Sequence, residues 1–144
     1  MRNPLIIFAI AALMIGGGLS APAASSDDTP LQESMGALNS GLRSFRRALK
    51  ADSPDKEAAL RQVIAMQAAT HTSKLETPEK AAALSTEEGR ELTKGYRKDL
   101  IEMQQELLKL EVLILDEDYK AADGSIRRLM EMKKAGHDKY IEDA

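Results

Sequence analysis

No cysteine occurs in the 144 residues, which excludes disulfides, iron–sulfur clusters and haem attached through a Cys-x-x-Cys-His motif. Stability must come from packing alone. Aromatic residues make up only 3% of the chain, while Ala, Leu, Lys, Glu and Gln dominate, a composition that favours helices throughout. A Gly-rich phosphate loop is missing, as are a Glu-x-x-His pairing for a carboxylate di-iron centre, a His-Glu-x-x-His helix and a recognisable Ser/His/Asp nucleophile setting. Nothing in the residues suggests an enzyme. A surplus of positive charge is lacking too: 20 Lys and Arg stand against 23 Asp and Glu, a formal net charge of −3. The basic pairs Arg46-Arg47, Arg127-Arg128 and Lys133-Lys134 therefore read as solvated helix faces and not as nucleic-acid contacts.

One long apolar run is present, from Pro4 to Ile15, preceded by Arg2 and followed by Gly16, Gly17 and Gly18 and the small-residue site Ala21-Pro22-Ala23. It is shorter than the roughly 20 residues that span a bilayer, so residues 1–23 read as a cleavable secretory signal peptide and not as a retained anchor. Cleavage after Ala23 or Ala24 removes Arg2 and takes the net charge to −4. The expected fate is export, with no membrane anchor left after cleavage. Residues 24–30 read as a flexible polar arm, and residues 31–144 as one domain, monomeric and with a single core.

Within that domain the apolar spacing predicts four helices. Leu31, Met35, Leu38, Leu42, Phe45 and Leu49 form a 4-3-4-3-4 seam over residues 31–50. Ser53 as N-cap with Pro54 at the first helical position opens a second helix carrying Leu60, Val63, Ile64 and Ala68 toward Thr72. A crossover follows, with a short turn capped at Thr77-Pro78 and running through Ala83. Ser85 and Glu88 form a capping box for a third helix with the seam Leu92, Tyr96, Leu100, Met103, Leu107, Leu110 and Ile114. Asp116-Glu117-Asp118 ends it and opens a fourth, whose stripe runs through Tyr119, Ala122, Ile126, Met130, Lys133, His137 and Tyr140 or Ile141. Short links imply an all-α, antiparallel up-down-up-down four-helix bundle.

In that topology the start of helix 1 and the end of helix 4 share a pole, so Met35 and His137 would face each other across one layer. Ala65, Ala68, Ala69, Gly95, Ala135 and Gly136 supply little side-chain volume there. Such a wall suits a large flat ligand approaching the backbone, or simply close helix packing. A Met on an apolar seam is ordinarily core, and a His there must satisfy two ring nitrogens. His71, the only other histidine, sits near the same pole, which leaves a His71/His137 pair geometrically open.

The segment from Leu31 to Leu42, with Met35, Leu38, Asn39 and Leu42, resembles the first helix of the soluble cytochrome b562 family, and Ala135-Gly136-His137-Asp138-Lys139-Tyr140 resembles its last turn. Lys74-Leu75-Glu76 and Gly95-Tyr96 extend the similarity over the mature chain. The resemblance implies a periplasmic b-type cytochrome that holds one non-covalent haem b, with Met35 and His137 as axial ligands of the iron. It further implies Leu38, Leu42, Leu92 and Tyr96 as pocket walls, Lys133 beside a propionate, and one-electron exchange with redox partner proteins. Three departures stand out: Lys133 replaces an arginine, Leu92 replaces a phenylalanine, and the third helix is about a turn longer. The alternative reading is a cofactor-free periplasmic helical bundle that binds a protein or peptide and keeps these residues as core.

Overall fold

The computed structural model describes residues 30–49 and 54–141, and every regular element among them is a helix. The expected signal peptide, the arm up to residue 29, the proposed Ser53 cap and the last three residues lie outside the described residues. Five helices pack against one another: α1 (Pro30–Ala48), α2 (Lys56–Ser73), the single turn α3 (Glu79–Ala82), α4 (Thr86–Leu115) and α5 (Tyr119–Tyr140).

The starts of α2, α4 and α5 follow side-chain caps. Asp55, and not Ser53, caps α2, accepting a hydrogen bond from the Ala58 amide at 3.0 Å; the helix starts at Lys56, two residues later than Pro54 suggested. Aspartate is as good a cap as serine, and its carboxylate also meets the positive helix end. Ser85 caps α4 as expected, accepting from the Glu88 amide, while its hydroxyl donates to the Glu88 carboxylate at 2.7 Å. Asp118 caps α5 through the Ala121 amide at 3.0 Å.

The core follows the predicted seams on α1 and α4. Leu38, Leu42 and Phe45 are buried, with Met35 and Leu49 partly buried against them. Tyr96, Leu100, Met103, Leu107, Leu110 and Ile114 are buried along α4, with Leu92 partly so. On α2 the inward face is Ala59, Val63, Met66, Thr70 and Ser73, so Ile64 and Ala68, expected inside, are exposed. On α5 it is Ala122, Ser125, Ile126, Leu129 and Tyr140; Met130 and His137 are exposed. The correction on α5 has a geometric cause. Residues seven apart, such as Ile126, Lys133 and Tyr140, are common to two possible stripes, and at about 100° per residue the stripe between them can pass through Leu129 and Gly136 or through Met130 and His137. Packing takes the first.

Polar contacts fix which ends meet. Gln32 near the start of α1 reaches Glu79 of α3 (3.4 Å), Lys80 of α3 donates to the Asp138 carbonyl near the end of α5 (2.8 Å), and Tyr96 of α4 donates to the Ser73 carbonyl at the end of α2 (3.1 Å). The start of α1, the ends of α2 and α5 and the first half of α4 thus gather around α3. Among neighbouring long helices, α1 and α5 pack least closely.

Candidate functional site

A cavity of about 300 Å³ opens at this gathering point, walled by Met35 of α1, Pro78, Tyr96, Leu100 and Met103 of α4, and Met132, Lys133, Gly136 and Tyr140 of α5. It exists because α5 offers Gly136 where a side chain would fill the space: a Cβ built there meets nothing within 4 Å. Met35 is half-buried in the wall, its sulfur 4.0 Å from the Ser73 hydroxyl. Three thioethers, from Met35, Met103 and Met132, face this one apolar space.

Two tyrosines close the inner side. Their rings meet edge to face, centroids 5.1 Å apart. Tyr140 donates to the Asp99 carboxylate at 2.5 Å, and Lys139 pairs with the same carboxylate at 3.0 Å. Gly95 leaves the space this needs, since a Cβ there would stand 3.3 Å from the Tyr140 oxygen. The glycine that suggested room for a flat ligand accommodates the Tyr140 phenol. Burial, offset in part by the Ser73 hydrogen bond, pushes the Tyr96 hydroxyl up to about 12; burial first, and then Asp99, raises that of Tyr140. Both phenols stay protonated donors across the physiological range.

The residues singled out by sequence separate into three groups. Met35, Tyr96 and Lys133 line the cavity. Leu38 and Leu42 are buried in the core beside it, and Leu92 is partly buried against the core without reaching the cavity wall. His137 is exposed and is not part of the wall, although its neighbour Gly136 is. His71 is also exposed. Lys133 donates to Asn39 of α1 at 2.9 Å. One turn beyond that contact on each helix, toward α3, lie Met35 and His137, so the two share a level while pointing to different surroundings.

Donor chemistry and wall character fit a porphyrin on the Met35 side, and on the His137 side they do not in this conformation. To enter the cavity the imidazole must move from the outer, α1-facing edge of α5, less than the 100° that separates successive residues. Among the described residues no three His, Asp or Glu side chains converge on a common point. Met132 and Asp99 were not singled out by sequence, and Met103 and Tyr140 were named only as seam residues. Met132 lies off the predicted stripe, and Asp99 matters only through its contacts with the last turn of α5. The chain matches no protein-family model and no curated protein, so what this site can do rests on its own side chains.

Proposed function

We propose that this chain is a periplasmic one-electron carrier of the cytochrome b562 type, with α1, α2, α4 and α5 forming an up-down-up-down four-helix bundle and α3 a turn in its crossover. One observation carries the reading: the Met35 thioether stands in the wall of an apolar cavity at the pole where α5 ends, level with the chain's last histidine. Met35 and His137 would hold a non-covalent haem b, Leu38, Leu42, Leu92 and Tyr96 would bound it, and Lys133 would exchange Asn39 for a propionate. Haem with thioether and imidazole ligands supplies one-electron chemistry at a raised potential. The chain's own part would be to exclude water with the Tyr96 and Met103 wall and to hold the group through Met35 and His137.

The exposure of His137 and the packing of Tyr140 into the pole favour a second reading, a cofactor-free bundle that binds a protein or peptide. One titration separates the two. The protein recovered from an exporting host, mixed with haem, should develop a sharp low-spin Soret band and split reduced α and β bands at one equivalent. Met35→Ala should turn the spectrum high-spin, His137→Ala should weaken binding at least tenfold, and His71→Ala should change neither. A chain that leaves the haem spectrum as that of free haem, or whose Met35 and His137 variants behave as the parent does, overturns the carrier reading.

A further inference from the structure

The loose contact between α1 and α5 leaves a groove of about 670 Å³ along the side of the molecule. Leu42 and Met130 form its apolar part, and Asn39, Arg43, Arg46, Arg47 and Lys133 its polar lining. Four of these side chains are cations and none is an acid, on a chain whose formal net charge is −3. Three of the cations come from one stretch of sequence. Arg43, Arg46 and Arg47 stand at i, i+3 and i+4, so they are neighbours on one face of α1. The acid of that helix, Glu33, lies ten residues before Arg43, about 15 Å away along the axis.

No carboxylate among the described residues pairs with any of the four. Lys133 is half-buried, and its hydrogen bond goes to the neutral Asn39 oxygen at 2.9 Å; Arg47 reaches the Ser44 hydroxyl at 3.4 Å. The nearby acids of α5 are engaged or face away. Asp123 is held by Arg127 at 3.0 Å and Asp138 by Lys134 at 3.4 Å, while Glu131 lies about 160° around the helix from Lys133. Unpaired cations stand elsewhere too, and a second basic concavity lies beside the start of α4. There, however, Arg90 and Lys94 pair with Glu87 at 3.8 Å and Glu91 at 3.2 Å, which leaves only Arg97 and Lys98. In the α1/α5 groove the like charges repel one another with nothing to offset them.

An anion supplies the missing charge, and the donor set indicates its kind. Three guanidinium forks and an ammonium on opposite walls offer more donors than one carboxylate can engage. A phosphate group brings about two negative charges and three acceptor oxygens, which donors from both helices can share. We infer that this groove binds a phosphate-bearing anion, as a free phosphate ester or as a lipid headgroup, through Arg43, Arg46, Arg47 and Lys133. Arg46-Arg47 is then more than the solvated face expected from sequence. The site is independent of the haem reading: the three arginines have no part in it and lie one to two turns beyond Asn39, on the side away from α3.

Two probes separate the sources, each offered at low salt and neutral pH to the protein recovered from an exporting host. Inorganic pyrophosphate stands in for a free phosphate ester and should bind saturably, one per chain, by titration calorimetry. Vesicles of phosphatidylglycerol in phosphatidylcholine present the headgroup and should carry the protein down on sedimentation, where pure phosphatidylcholine does not. Binding in either arm supports the site and names its source. In the arm that binds, Arg43→Gln and Arg46→Gln should each weaken the interaction roughly tenfold, the usual loss of one charge-assisted contact. Arg97→Gln removes the same charge outside the groove and should leave binding as it was. Failure of both arms, an equal loss with Arg97→Gln, or tighter binding of a hexaglutamate peptide than of either phosphate probe would each overturn the proposal.

Discussion

Gly89 and Gly136 are both helical, and their surroundings give them opposite meanings. A Cβ on Gly89 would come within 2.6 Å of the Ala81 carbonyl oxygen, a backbone atom that can yield only if α3 moves as a unit. A Cβ on Gly136 meets nothing. Alanine gains roughly 1 kcal/mol over glycine inside a helix, while forcing an overpacked contact costs about 1–3 kcal/mol. Gly136→Ala should accordingly raise the urea midpoint, by up to about 1 kcal/mol in unfolding free energy, and Gly89→Ala should lower it. Urea curves that move the same way for both variants would refute this account of the packing. Under the carrier reading Gly136→Ala should also weaken haem uptake, because the added methyl enters the cavity.

At the level of elements, α1 and α4 were legible because the buried seam of each continues without a break from one turn to the next, and the Ser85/Glu88 cap was legible because its signature is local. The rotation of α5 was not, and the site depends on it. Ile126, Lys133 and Tyr140 belong to either stripe; the choice is made by α4 residues far away in sequence, Asp99 holding Tyr140 and Lys139, and Glu106 accepting from Ser125 at 2.6 Å and pairing with Arg128 at 3.5 Å. Ile64 was misplaced for another reason: an aliphatic residue at helical spacing reads as core even where it stands exposed. The Asp99 latch yields a test of what fixes the end of α5. Asp99→Ala removes the acceptor for both Tyr140 and Lys139, so amides near residues 136–140 should exchange several-fold faster while those of Leu107 and Leu110 keep their protection. Unchanged protection of the last turn would mean that the ring contact between Tyr96 and Tyr140 suffices to hold it.

For the whole molecule the two tyrosines make stability depend on alkaline pH. Tyr96 has a hydroxyl pKa of about 12 in the fold against 10.0 for the ordinary group, with burial the main cause. The unfolded chain therefore releases this proton first as pH rises, and the folded chain binds more protons between pH 10 and 12, so unfolding free energy falls with pH across that window. At about 1.4 kcal/mol per pKa unit the loss is about 2–3 kcal/mol for Tyr96. Tyr140, raised by burial and Asp99, and Lys139, raised by its bonds to Tyr140 and Asp99, add losses of the same sign. Against a total of about 5–15 kcal/mol for a domain of this kind, the pole should loosen before the rest. Urea unfolding at pH 9, 10.5 and 12 should show the midpoint dropping steadily. Tyr96→Phe, which gives up the hydrogen bond to the Ser73 carbonyl, should start about 1 kcal/mol lower at pH 9 and then fall less steeply. A parallel descent of the two proteins would place the alkaline weakness outside the Tyr96 hydroxyl.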